Sequence, residues 1–249
     1  MLYINLILGL LFLIILGRYF YSLYSEGFYR PESWASAVKA GKVSRELYRE
    51  FRRYRDKIRF FAWWLQVERI RKDKAEGCFA ELGVYKGESA RILHLMDPQR
   101  TFHLFDTFEG FSKTDLSGET GEAAGYTEKN FADTSLEKVR EYLGESRRLV
   151  FHPGLFPGTA SGLANERYVL VNIDADLYQP TRAGLEYFYP RLVPGGVIFV
   201  HDYNHKWEGC RRAVDEFLRG IPEAPVLLPD QDGTLIIRKN KQHEPDKSR

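Results

Sequence analysis

An α/β fold on a mostly parallel sheet is the architecture that this chain predicts, and three observations carry it. From Gly77 onward, short apolar β-branched runs alternate with helical patterns, the signature of β-α-β units. Two of those runs, 169–173 and 196–200, end in acidic residues, as buried parallel strands do when they deliver carboxylates to one edge of a sheet. The last two runs are separated by Asp230-Gln-Asp-Gly233, a hairpin signal that adds one antiparallel edge strand.

The elements follow in chain order. Residues 2–17 carry no charge, which is short for a span, but Arg18 can snorkel and Tyr19, Phe20, Tyr21 and Tyr24 form an interfacial belt. A signal peptide is the competing reading. No basic residue precedes the apolar run, however, and no A-x-A-like site follows it, so a retained transmembrane anchor over 1–24 is expected. The positive charges lie downstream and predict a cytoplasmic catalytic domain. Residues 25–42 read as irregular, with Gly27, Pro31 and Gly41 as breakers, and Ser44 as the N-cap of one long helix to about Asp73. Within it Phe51, Tyr54, Ile58, Phe61 and Leu65 form an apolar stripe opposite a basic face, while Trp63 and Trp64 suit either the core or a lid. Strands are expected at 78–82, 101–105, 148–152, 168–173, 196–200, 226–228 and 234–238. Helices are expected at 87–95, 136–143, 181–192 and 210–218. The resulting organisation is an anchor (1–24), a linker with a basic amphipathic helix (25–75), a catalytic domain (76–239) and a disordered tail (240–249).

Charge is unevenly spread. Lys39 to Lys74 hold 13 basic against 5 acidic residues, whereas the chain from Ala75 onward holds 21 against 27. A basic arm before an acidic core suits anionic lipid headgroups better than nucleic acid, whose phosphates the core would repel. Cys78 and Cys210 are the two cysteines; without CxxC spacing they argue against a zinc site or a disulfide framework and read as buried filler.

In open α/β sheets, ligands bind at the carboxyl ends of the strands, which brings Asp174, Asp176, His201 and Asp202 to one site. Acids after strands are often helix caps, but four such groups together point to chemistry. The first strand leads into Glu81-Leu-Gly83-Val-Tyr-Lys-Gly87-Glu-Ser89, whose glycines allow a tight turn beneath a ligand. The second strand ends at Asp106 and Thr107, where an acid can accept from both ribose hydroxyls. Together these suggest an adenosine-containing cofactor. His152 and His205 read as structural or surface histidines, and Tyr178 and Tyr203 as packing residues near the acceptor side.

These segments, with Phe131-Ala-Asp-Thr-Ser135, Gly195–His201-Asp202-Tyr203 and Gly209-Cys-Arg-Arg-Ala-Val-Asp-Glu-Phe217, resemble the macrocin O-methyltransferase (TylF/MycF-like) family over roughly 76–238. The resemblance implies a Rossmann-like class I fold and S-adenosylmethionine (SAM) bound by Glu81, Gly83, Gly87, Ser89, Asp106 and Thr107. It also implies methyl transfer to a sugar hydroxyl, assisted by Mg²⁺. The family's metal ligands fall on Asp174, His201 and Asp202, with Asp176 and His201 as catalytic candidates. His201 departs from the family's acid at that position, and imidazole suits Zn, Mn or Fe better than Mg²⁺. The expected acceptor is a sugar or glycolipid at the cytoplasmic membrane face. A tethered small-molecule enzyme and a silent scaffold of glycan assembly are the alternatives, and self-association through the N-terminal helix stays open.

Overall fold

The computed structural model describes residues 2–24, 30–204 and 206–240, so the expectations for His205 and for the tail after 240 lie outside the described residues. The chain falls into two compact units, 1–43 and 44–249. In the first, helix α1 (Leu2–Tyr24) contains a 20-residue stretch, Tyr3–Ser22, with mean hydropathy 1.9. Its length and composition are sufficient to cross a membrane. A second helix, α2 (Glu32–Lys39), forms where an irregular linker was expected. Pro31 explains it, because a fixed φ just before the first helical residue favours helix initiation over a break.

The second unit corrects the single long helix. Ser44 caps α3 (Arg45–Arg53) as expected, its hydroxyl accepting from Leu47 N at 3.0 Å. The chain then turns extended at Tyr54, and Asp56 starts α4 (Lys57–Lys72) by accepting from Arg59 N at 2.9 Å. Lys57 Nζ donates to the Phe51 and Tyr54 carbonyls, which satisfies the end of α3. This interruption changes the helix phase. Ile58 and Leu65, placed on the apolar stripe, are exposed, while Arg59, Phe60, Phe61, Trp63, Trp64, Val67 and Ile70 are buried. Both tryptophans belong to the core.

From here the alternation runs β1 (Cys78–Leu82), α5 (Glu88–Met96), β2 (Phe102–Asp106), a short α6 (Lys113–Leu116), α7 (Leu136–Leu143), β3 (Leu149–Pro153), β4 (Tyr168–Ile173), α8 (Tyr178–Arg191), β5 (Leu192–Val200), α9 (Glu208–Leu218), β6 (Val226–Leu227) and β7 (Leu235–Arg238). The seven strands order as β3-β2-β1-β4-β5-β7-β6, with β1 to β5 parallel. The antiparallel strand is β7, between β5 and β6, so the edge is taken by β6 rather than by the antiparallel strand.

Both sheet faces are buried. Ala80, Leu82, Phe105, Val171, Ile173, Ile198 and Val200 join Leu185, Phe188 and Val214 of α8 and α9 in one core. The alternate strand residues Phe79, Phe102, Leu104, Val197 and Phe199 are buried as well. With both faces covered, the carboxyl ends of β1, β2, β4 and β5 are the open edge that a ligand can reach.

Candidate active site

The loop after β1 is organised by the acid that ends β2. Asp106 Oδ2 accepts from Val84 N (2.7 Å) and Tyr85 N (2.8 Å), and its Oδ1 accepts from Phe108 N (2.6 Å). The carboxylate expected to hold ribose hydroxyls thus already holds the glycine loop in shape. Gly83 (φ +87°) is obligatory, since a Cβ there would lie 1.9 Å from the Asp174 carbonyl oxygen. Gly87 opens α5 in a left-handed conformation. Thr107 Oγ1 donates to Gly110 O at 2.6 Å and shapes the turn after β2. The 131–135 segment closes over this loop: Tyr85 Oη donates to Asp133 (2.6 Å), Thr134 Oγ1 to Tyr85 O (2.9 Å), and the Phe131 ring stands edge-on to Tyr85.

Glu81 lies beneath the loop, fully buried, its Oε1 accepting from Ser89 Oγ (2.6 Å) and Asn172 Nδ2 (2.7 Å). Burial pushes its carboxyl up to about 8 against those two hydrogen bonds. Its raised pKa therefore costs stability, increasingly from pH 4.5 to about 8. Glu81→Gln is accordingly expected to gain on the wild type over that window, by on the order of 2–4 kcal/mol in urea unfolding at pH 8 relative to pH 4.5. An unchanged difference between the two pH values would contradict the burial argument.

The ends of β4 and β5 meet as expected. His201 Nδ1 lies 2.7 Å from Asp174 Oδ1 and 2.9 Å from Asp202 Oδ2, and its Nε2 lies 3.4 Å from Asp232 Oδ2. Asp176 and Asp202 both take positive φ (60° and 61°), a conformation that Asp tolerates and that clusters at functional sites. Burial works against the His201 cation, but the Asp174 carboxylate outweighs it and raises the imidazole well above its ordinary value. Conversely, His201 and Arg59 outweigh burial at Asp174 and hold it below the usual carboxylate range. Burial, then Asp202 and Asp174, push Asp176 well up.

Arg59 is the residue that sequence reasoning missed. Its guanidinium lies among four carboxylates: Asp232 at 3.5 Å, Asp56 at 3.6 Å, and Asp174 and Asp230 at 3.8 Å. Tyr54 and Trp63 rings flank it, each 5.8 Å from Cζ. In the sequence it is one basic residue in a basic helix; only the N-cap at Asp56, three residues earlier, hinted that it opens a new helix. Asp232 and Asp230 were read as hairpin-turn residues. Tyr178 and Tyr203 hydrogen-bond to Glu216 and Asp215 at 2.7 Å and pack as expected. His152 contacts His103 rather than the cleft (2.9 Å).

One cavity of about 840 Å³ joins the two halves of the site. Gly83, Val84, Tyr85, Ser89, Asp106 and Thr107 line one part, and Asp174, Asp176, His201, Asp202, Arg59 and Asp232 another. The size and the mixed lining suit a cofactor together with an acceptor. The glycine loop, with backbone rather than side chains facing the cleft and a buried carboxylate oxygen of Glu81 lacking a partner, fits an adenosyl ligand with hydroxyl and amino groups. Mg²⁺ fits less well. Asp174, His201 and Asp202 are close enough to share an ion, but one donor is nitrogen. The imidazole already bridges both carboxylates, and the Arg59 guanidinium stands at Asp174. The donor set does not match an all-oxygen Mg²⁺ shell.

Comparison with known proteins agrees with this architecture. Residues 51–235 match the family model described as macrocin-O-methyltransferase (TylF). Over 182 residues, covering 69% of both chains, the sequence is 30% identical to 8-demethyl-8-(2,3-dimethoxy-alpha-L-rhamnosyl)-tetracenomycin-C 4'-O-methyltransferase of Streptomyces olivaceus. It is 32% identical over 180 residues, 66% of this chain and 70% of the other, to mycinamicin III 3''-O-methyltransferase of Micromonospora griseorubida. The fold resembles the solved O-methyltransferase NovP, with a TM-score of 0.63 at 24% identity, covering 74% of this chain and 81% of that one.

Proposed function

The chain belongs to the macrocin-O-methyltransferase (TylF) family and is a SAM-dependent O-methyltransferase, and from that premise we propose that it methylates a sugar hydroxyl on a membrane-borne acceptor. The observation that carries the reading is the shared cavity, in which the glycine loop faces a cluster of three aspartates, His201 and Arg59. The relatives named for transfer to glycosylated natural products support a sugar acceptor. Helix α1, long and apolar enough to span a bilayer and followed by a basic segment, supports an anchored enzyme with a cytoplasmic catalytic unit and a lipid-linked acceptor.

Bound SAM supplies an electrophilic methyl group on a sulfonium, and its transfer is an in-line displacement in which placement of the acceptor oxygen dominates. Asp176 receives the hydroxyl proton. Its elevated pKa makes it a stronger base than an ordinary carboxylate, and a positive charge entering the cleft shifts it toward the ionised form. His201, held as a cation by Asp174, and Arg59 offset the negative charge that develops on the acceptor oxygen. Asp174 fixes the imidazole rather than touching the proton. These residues supply the positive charge that a metal would otherwise bring, so EDTA is expected to leave turnover within about twofold. A tenfold or larger loss restored by Mg²⁺ would return a metal to the mechanism.

The reading is tested by calorimetric titration of SAM into the full chain, followed by acceptor screening with radiolabelled methyl. Micromolar SAM binding with turnover on a glycolipid supports it. Turnover on soluble glycosides alone would reduce α1 to a tether, and absence of SAM binding by folded protein would favour a scaffold. Asp106→Ala frees three loop amides and is expected to weaken SAM by about tenfold or more, measured in the same titration. Reporter fusions at both ends check the orientation of α1.

A further inference from the structure

At the opposite edge of the sheet from the cleft, the beginnings of three strands bring together a thiol, an imidazole and a carboxylate. Cys78 is the first residue of β1, His103 lies early in β2 one position from the Phe79–Phe102 pair, and Glu166 precedes β4 by two residues. One ligand atom from each lies within 4.8 Å of the other two. Cys78 Sγ donates to Glu166 Oε2 at 3.3 Å. His103 is 4% exposed; its Nδ1 faces His152 Nε2 at 2.9 Å, while its Nε2 is buried with no hydrogen-bond partner among the described residues. A buried ring nitrogen without a partner costs free energy that a ligand can recover.

We propose that Cys78, His103 and Glu166 form a structural site for a thiophilic divalent metal of the zinc class, with His103 Nε2 as the nitrogen ligand and His152 holding its other nitrogen. The donor set is sulfur, nitrogen and oxygen, which selects Zn²⁺ or Co²⁺ over Mg²⁺ and leaves a fourth position for water. The His103–His152 contact is the arrangement that metal-bound histidines use: Nδ1–H donates to an acceptor behind it, which fixes the tautomer and leaves the Nε2 lone pair free. Tetrahedral bonds of about 2.0–2.3 Å need ligand atoms roughly 3.3–3.8 Å apart, so a closure of about 1 Å suffices. Cys78 and Glu166 are half-buried at the sheet edge and have room to make it. Burial and the Glu166 hydrogen bond keep the metal-free thiol protonated, its pKa pushed up to about 12, and binding releases that proton to solvent. An ion here would tie β1, β2 and the lead-in to β4 together beneath the core, without entering the reaction.

The test is titration of Co²⁺ into the metal-free full chain, read by absorption. The expected result is one equivalent bound with a sulfur-to-cobalt charge-transfer band and tetrahedral d–d bands, with apparent affinity rising with pH. The aspartate–His201 cluster has no sulfur and cannot produce the charge-transfer band, although Cys210, which donates to the His201 carbonyl, lies close enough to need a control. The band should disappear in Cys78→Ser, persist in Cys210→Ala, and weaken with at least tenfold lower affinity in His103→Gln. Zn²⁺ should displace Co²⁺ and raise the melting temperature of the wild type but not of Cys78→Ser. No charge-transfer band in the wild type, or a band lost in Cys210→Ala and kept in Cys78→Ser, overturns the proposal. SAM affinity in the same samples is independent of either result.

Discussion

Arg59→Met is expected to lower kcat by about 10² or more while changing SAM affinity only a few-fold, because it removes the positive charge from among four carboxylates but leaves the glycine loop intact. The same substitution is expected to destabilise the fold by about 3 kcal/mol at neutral pH, since the Arg59 side chain is only 8% exposed and its partners are left facing one another. The sign of the pH dependence distinguishes this from loss of packing. Arg59 holds Asp174 below the ordinary carboxylate range, and without it that pKa rises. A carboxylate with a depressed pKa contributes stability that is present above its unfolded value, near 3.8, and lost as pH falls through the folded value. The penalty for Arg59→Met is therefore greatest at neutral pH and shrinks as the aspartates protonate toward pH 4. Chemical denaturation at pH 4, 5.5 and 7 measures it, and a penalty that is constant across those values would mean that packing alone is lost. Arg59→Lys should not restore turnover, because a single ammonium cannot span carboxylates on both sides of a planar guanidinium. Activity within threefold of wild type in Arg59→Met would remove this residue from the catalytic argument.

Asp174→Asn is expected to reduce turnover by about 10³, again with SAM affinity largely kept, since Asp174 acts through His201 and not through the cofactor loop. The wild-type pair has a defined pH window. His201 is raised well above 6.5, so its contribution is fully present below that value and lost as pH climbs through the folded pKa. Asp174 is lowered, so its contribution is present above 3.8 and lost as pH falls through the folded value. Stability from the pair is thus greatest between these limits. Asn removes the anion, so His201 loses its largest favourable partner and its pKa falls toward or below the ordinary range. The imidazole resonances of His201, followed by NMR titration, should shift their midpoint downward by more than one unit in the variant. A positioning role predicts that shift together with the fall in kcat; loss of turnover with an unmoved His201 titration would make Asp174 a direct participant. Loss of SAM affinity matching that of Asp106→Ala would dissolve the division between the cofactor half and the acceptor half of the cleft.

Much of the site was legible because buried parallel strands are contiguous in sequence. Val169–Ile173 and Gly196–Val200 are uninterrupted apolar runs, and whatever follows such a run must emerge at the sheet's carboxyl edge. Asp174, Asp176, His201 and Asp202 could therefore be placed together without knowledge of any contact. Gly83 was legible for a related reason: a glycine straight after a strand and before a helix marks backbone that leaves no room for Cβ. Periodicity failed at 54–56. A basic amphipathic pattern continues smoothly across two helices when the break falls at polar residues, and Asp56 looks like one more surface acid until its side chain is seen capping α4.

The sequence by itself determined the elements, the parallel sheet and the edge at which the four β4 and β5 residues gather, because strand burial and backbone turns are local consequences of residue order. The tertiary structure alone decided the charge state and the cast of the site. It carried Arg59 from the N-terminal helices and Asp230 and Asp232 from the β6–β7 connection to within 4 Å of one another. It also placed β7 inside β6, and turned Asp106 from a free acceptor into the anchor of the glycine loop. Those outcomes depend on pairings between residues more than a hundred positions apart, and a buried charge is specified by whatever surrounds it in space, which no window of sequence contains.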